Sequence, residues 1–175
     1  LTVESRVDKG STFTVELELE EMEGTATENL EPIKVITGYK GGRKKILIAD
    51  DNITNLAMLV SFLEPLGFET QTAENGKEVM EKTATAKPDL VLLDLLMPVM
   101  DGDKALRRIR NDEDLKATKV IGISAAVADK ERTGAFVAGC DDFISKPVKA
   151  SELLEKLKEQ LHIECIAEGD GGERE

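Results

Sequence analysis

Two kinds of hydrophobic spacing divide the chain. Over LTVESRVDKGSTFTVELEL, apolar and polar positions alternate: Leu1, Val3 and Val7 precede the polar stretch Asp8-Lys9-Gly10-Ser11, and Phe13, Val15, Leu17 and Leu19 follow it. A period of two around a Gly-containing turn predicts a β-hairpin. A lone hairpin is marginal in water, so its strands are expected to belong to a larger sheet. Glu21 to Gly42 has Thr, Asn, Pro, Gly and charges without periodicity and reads as a linker. From Lys45 the pattern changes to short apolar runs separated by helical spacing. Ile46–Ala49, Thr70–Ala73, Leu90–Leu93, Val120–Ile123 and Phe143–Ile144 are the strand candidates. Between them Leu56, Leu59, Val60 and Leu63 recur at i, i+3, i+4 and i+7, and Leu153, Leu157 and Leu161 recur every fourth residue. Gly67 and Gly139 stand where helix C-caps are expected, and Pro65 predicts that the first helix ends or kinks before Leu66. Five β/α units from about Lys45 to His162 imply a mostly parallel sheet covered by helices on both faces.

Composition narrows the function. The 175 residues hold 23 Lys plus Arg against 35 Asp plus Glu, a net charge of −12, with one Tyr, five Phe and no Trp. So acidic and ring-poor a chain is not expected to bind nucleic acid or an anionic membrane surface unaided. The charge is uneven: −7 over residues 1–31, +5 over 32–45, −6 over 46–163 and −4 over the last twelve. Cys140 and Cys165 are too few for a disulfide framework or a zinc cage and read as a packed thiol and a tail thiol. The apolar run Leu90–Met100 is interrupted by Asp94 and is too short to span a bilayer. The chain opens on Leu1 rather than Met, so a cytoplasmic piece of a longer protein is expected, whose parent could be membrane-attached.

In an open parallel sheet, ligands bind beyond the carboxyl ends of the strands. Asp50-Asp51 follows the first strand candidate, Asp94 the third, Ser124 the fourth and Lys146-Pro147 the fifth. Singly, each has an ordinary explanation: an Asp pair makes turns or caps, Asn52 or Thr54 can cap the helix that follows, and Ser and Lys populate surfaces. Asp94 differs, because VLLDLLMP places an acid inside an apolar run, where it costs free energy without a partner. Three converging carboxylates repel one another unless a cation intervenes. Oxygen ligands favour a hard ion such as Mg²⁺, completed by water and phosphate oxygens. A lysine point charge and a hydroxyl suit a phosphate, and phosphoryl transfer asks a protein mainly for positioning and electrostatics.

KILIADDNITN, PDLVLLDLLMPVMDG, VIGISA and CDDFISKPV resemble, in order and spacing, the successive motifs of the response-regulator receiver domain, over roughly residues 44–162. The resemblance implies a three-layer, doubly wound, flavodoxin-like α/β fold with five parallel strands in the order 2-1-3-4-5. It implies that Asp94 is the phosphoacceptor and Asp51 a direct Mg²⁺ ligand, with Asp50 acting through water and the backbone carbonyl of Leu96 completing the protein ligands. Lys146 would contact the phosphate, ahead of a cis peptide to Pro147; Ser124 would be the switch hydroxyl and Phe143 the switch aromatic. The switch would alter the face formed by the last two helices. VESRVDKGSTFTVELEL resembles the last hairpin of a histidine-kinase ATP-binding domain, and that hairpin, a linker and a receiver in this order resemble a hybrid sensor histidine kinase. The expected organisation is therefore a hairpin at 1–22, a linker at 23–43, a receiver at 44–162 and an acidic tail at 163–175.

The chain lacks nucleotide-binding boxes, and its one histidine, His162, has no phosphoacceptor motif around it, so this piece is not expected to bind ATP or phosphorylate a histidine. The implied partners are the phosphohistidine domain of a kinase, which could be its own, and a histidine phosphotransfer protein. An aspartate-nucleophile phosphatase would need an acid two residues after Asp94, where Leu96 stands. A binding-only receiver is the other alternative, opposed by the intact set Asp50, Asp51, Asp94, Ser124 and Lys146. Leu96 and Ala126, each two residues past a site residue, are apolar and placed to exclude water, while small Ala125 leaves the phosphate reachable. Slow self-dephosphorylation is expected.

Overall fold

The computed structural model describes residues 2–6, 10–14, 36–124 and 139–167. The chain divides into two units, residues 1–33 and 34–175. In the first, β1 (Thr2–Arg6) pairs antiparallel with β2 (Gly10–Thr14), from Thr2 opposite Thr14 to Arg6 opposite Gly10. The alternation around Asp8-Lys9-Gly10 thus forms the hairpin expected of it; the rest of the alternating stretch lies outside the described residues.

The second unit carries the five β/α units. Its strands are β4 (Lys45–Ala49), β5 (Glu69–Ala73), β6 (Leu90–Asp94), β7 (Lys119–Ser124) and β8 (Asp142–Ser145), all parallel, in the order β5-β4-β6-β7-β8. Counted from the first strand of this sheet, that is 2-1-3-4-5. Period two sorts the strands onto two cores. In β4, Ile46 and Ile48 pack with Leu56, Leu59 and Leu63 of α1 (Ile53–Leu63) and with Leu153 and Leu157 of α4 (Ala150–Leu161). Leu47 and Ala49 point the other way, toward Val79 of α2 (Gly76–Ala86) and Leu106 and Ile109 of α3 (Gly102–Asn111). Both faces are covered, so the central strands read as unbroken apolar runs.

Local chemistry sets the helix ends. The Asn52 side chain accepts from the Thr54 N–H at 2.9 Å and caps α1; Asn75 accepts from Lys77 and Glu78, both at 3.1 Å, and caps α2. Pro65 does stop α1: the helix ends at Leu63, a 3₁₀ turn over Glu64–Leu66 accommodates the proline, and Gly67 at φ 99° closes it. Gly139 is not a left-handed cap; a Cβ there would lie 2.9 Å from Leu106 Cδ2, so close packing is what it permits. Cys140 packs against the second core, and burial pushes its thiol up to about 12.

The stretch read as a linker contains a strand. β3 (Ile36–Lys40) pairs antiparallel with β9 (Glu164–Ala167), part of the stretch read as an acidic tail. The Tyr39 ring stacks on Phe68 with centroids 4.5 Å apart, and its hydroxyl accepts from the Lys44 N–H at 2.8 Å. Four- and five-residue strands show no convincing period alone; a partner more than a hundred residues away, and a ring on which to stack, make them.

Candidate functional site

Four strands deliver the site. Asp50 and Asp51 leave β4, Asp94 and Ser124 end β6 and β7, and Lys146 follows β8. The strand ends are tied together: the Asp50 N–H donates to Ala73 O at 3.1 Å, the Leu95 N–H to Ile123 O at 3.0 Å, and the Lys146 N–H to Ser124 O at 2.8 Å. All five expected side chains therefore come from one edge of the sheet. Asp50, Asp94 and Ser124 are 3%, 5% and 2% exposed, whereas Asp51 faces solvent. Carboxylate oxygens of Asp50, Asp51 and Asp94 all lie within 4.8 Å of one another.

Lys146 bridges two of these acids, its Nζ donating at 2.8 Å to Asp50 Oδ2 and at 2.8 Å to Asp94 Oδ2. Burial raises the Asp94 pKa above the ordinary carboxylate value; the Lys146 bond offsets part of that, and the Asp50 charge adds to it. Burial alone would lower Lys146, but its bonds to Asp50 and Asp94 and their charges prevail and hold it above the usual lysine value. Three carboxylates against one ammonium leave a formal charge of −2, which a divalent cation would neutralise. An oxygen-only donor set of this spacing fits Mg²⁺.

The loop from Leu95 to Asp101 is held at its far end by backbone bonds from Gly102 N–H to Leu95 O at 3.0 Å and from Gly76 N–H to Met100 O at 2.9 Å. Gly102 is required there, since a Cβ would lie 1.9 Å from the Asp94 carbonyl oxygen. Val99, at the loop's turn, takes φ 64° and is 84% exposed, a strained placement for a β-branched residue. Leu96 is 54% exposed beside the Asp94 carboxylate, and its N–H lies 3.4 Å from Asp94 Oδ1. Ala125 and Ala126 fall outside the described residues. The Lys146-Pro147 peptide is cis, and Phe143 is half-buried against the second core.

Asn55 was missed in the sequence. Its side-chain amide donates to both oxygens of Asp50, at 3.1 Å to Oδ1 and 2.9 Å to Oδ2. The available signal was an Asn in the first turn of a helix already capped by Asn52, a position where helix propensity disfavours it. Asn55, Met58, Pro147 and Val148 also help line a cavity of about 430 Å³ that opens beside Asp50 and Lys146.

Comparison with known proteins places this geometry. Residues 46–158 match the response regulator receiver domain. Hybrid signal transduction histidine kinase F of Dictyostelium discoideum is 35% identical over 126 residues, 70% of this chain and 11% of that protein. The transcriptional regulatory protein ResD of Bacillus subtilis is 38% identical over 117 residues, 67% of this chain and 48% of that protein. The chain thus spans less than half the length of either relative. Among solved structures, the receiver domain of the sensor histidine kinase PA1611 from Pseudomonas aeruginosa PAO1, with a magnesium ion coordinated in its active site cleft, is 27% identical, with a TM-score of 0.64 over 69% of this chain and 99% of that one. A CheY-like receiver domain from Methanospirillum hungatei is 32% identical, with a TM-score of 0.63 over 69% of this chain and 95% of that one. No described helix is long and apolar enough to cross a membrane. The five-stranded fold, the acidic cluster at its carboxyl edge and the extent of the match together make this chain a member of the response-regulator receiver family, a module of two-component signalling.

Proposed function

We propose that the chain accepts a phosphoryl group from a phosphohistidine onto Asp94. The observation that carries this reading is the Lys146 ammonium bridging Asp50 and Asp94 beside Asp51, a site with a surplus charge of −2. An Asp94 oxygen attacks phosphorus, the P–N bond of the donor breaks, the imidazole leaves with its electron pair, and an acyl phosphate remains on Asp94. Mg²⁺, held by Asp51, Asp94 and the Leu96 carbonyl, with Asp50 acting through water, would offset the charge of the carboxylates and the incoming phosphoryl group. Lys146 supplies a second positive charge to the phosphoryl oxygens. Ser124, buried at the end of β7, would close on the phosphate, and Phe143 would turn further inward as the switch.

The donor is read as the phosphohistidine domain of a histidine kinase. Ile53, Met58, Leu96 and Val99, between 49% and 84% exposed, give the carboxyl edge of the sheet an apolar rim on which such a domain would seat. A hybrid histidine kinase as the parent is supported by the hairpin at the start of the chain and by the Dictyostelium relative. A receiver in that setting controls its own kinase or passes phosphate to a histidine phosphotransfer protein.

Intact-mass analysis after incubation with Mg²⁺ and a small-molecule phosphodonor tests the chemistry. One phosphate is expected on the native chain, with none on Asp94→Asn and none when the metal is chelated. A folded native chain that binds Mg²⁺ but gains no mass, from this donor or from a phosphorylated kinase domain, would sink the phosphoacceptor reading in favour of a binding-only receiver.

A further inference from the structure

We propose that Asn55 is a positioning residue of the phosphoacceptor site, fixing the buried Asp50 carboxylate so that Asp51 and Asp94 are left to take the cation and the phosphoryl group. The proposal rests on the functional reading above and assigns a role to a residue outside the expected ligand set.

An ionised carboxylate offers about four acceptor directions. In Asp50 three donors engage both oxygens: Oδ1 accepts from the Asn52 N–H at 2.8 Å and from Asn55 Nδ2 at 3.1 Å, while Oδ2 accepts from the same Asn55 Nδ2 at 2.9 Å and from Lys146 Nζ at 2.8 Å. A carboxylate so engaged has little room for a direct metal bond and serves a cation through its charge and through a water that takes the remaining direction. The donors differ in permanence. Lys146 is shared with Asp94, the group that changes in the reaction, so its hold on Asp50 weakens when a phosphoryl group draws the ammonium away. Asn52 and Asn55 belong to the start of α1, whose Leu56, Leu59 and Leu63 are anchored in the first core, and they do not depend on the state of Asp94.

Asn55 is not needed to begin the helix. The Asn52 side chain already caps α1 through the Thr54 N–H at 2.9 Å, and Asn is disfavoured inside a helix relative to Ala. Its tilt toward the strand end follows from its position in the first turn, where side chains lean back toward the helix N-terminus. The arrangement is an outer-shell hydrogen bond that orients a charged group next to a cation site, a kind of contact whose loss weakens metal affinity by about 10–100-fold.

The test uses the full chain and two variants. Asn55→Leu keeps size and removes the amide; Asn55→Gln keeps the amide on a longer stem. Calorimetric titration with Mg²⁺ is expected to show affinity about tenfold weaker or more for Asn55→Leu, with most of it recovered in Asn55→Gln. A double-mutant cycle with Asp50→Ala, read by thermal unfolding without metal, is expected to show Asn55→Leu lowering Tm in the native background and much less with Asp50 absent. Native Mg²⁺ affinity in Asn55→Leu, an equal loss in Asn55→Gln, or additive effects in the cycle would each overturn the proposal. Failure of the native chain itself to take Mg²⁺ would instead overturn the functional reading, while the metal-free cycle still decides the Asn55–Asp50 coupling.

Discussion

The chain contains two adjacent aspartate pairs at strand ends, Asp50-Asp51 and Asp141-Asp142, and their surroundings are opposites. At the second pair, Asp141 meets Arg110 at 2.7 Å, Lys119 at 2.8 Å and the Val120 N–H at 2.9 Å, while Asp142 meets Lys156 at 2.5 Å. Burial would raise both carboxyls, but the bonds from Lys119 and Val120 to one and from Lys156 to the other outweigh it and hold both below the ordinary value. Three cations serve two acids. At the first pair the balance reverses: with Asp94 there are three acids, and Lys146 is the cation that pairs with them among the described residues. An acid pair whose charge is cancelled within the fold ties elements together; one whose charge is left over is suited to a cation, and the proposed function adds a phosphoryl group beside it.

This contrast can be broken by experiment. The largest expected effect is at the neutralised pair: Asp141→Ala leaves Lys119 and the Val120 N–H without their carboxylate, while Arg110 keeps the Gly139, Lys116 and Thr118 carbonyls, and should cost about 2 kcal/mol in urea unfolding. Because the folded pKa of Asp141 lies below the unfolded one, that advantage of the native chain is present at neutral pH and shrinks as pH falls below about 3.8. A gap unchanged down to pH 2 would contradict the ion-pair account. Next, Leu96→Asn places a polar group where, on the proposed function, water would approach the acyl phosphate, and loss of phosphate should quicken about tenfold; an unchanged half-life would remove Leu96 as the water excluder. At the surplus pair the sign inverts. Asp51→Asn should stabilise the metal-free chain by roughly 0.5–1 kcal/mol by relieving repulsion while weakening Mg²⁺ binding, so destabilisation there would erase the distinction between the pairs. The smallest effect belongs to the strained loop: Val99→Asn, better suited to positive φ, should raise stability by about 0.5 kcal/mol on thermal unfolding, with no gain expected if the backbone relaxes instead.

Much of the site was legible because it obeys a rule of place. Acids, a hydroxyl and a lysine directly after apolar runs stand together once the runs become parallel strands, whatever the side-chain details. Asn55 was not legible, since its value depends on the helix start folding back over Asp50, and Asp141-Asp142 gave no hint in the sequence that three distant cations would cancel it. The ribbon of β3 and β9 was hidden for a related reason. A strand at 36–40 is stabilised by residues 164–167 and by Phe68, none of which can be inferred from ITGYK itself.

By itself the sequence determined the alternation of strands and helices, the two-faced core, the Pro65 break and the residues that reach the carboxyl edge, because spacing and residue type act locally along the chain. Only the tertiary structure decided which carboxylates have their charge cancelled within the fold. That depends on the cations and N–H groups that distant elements bring within hydrogen-bond reach, and on how far burial removes water from each acid.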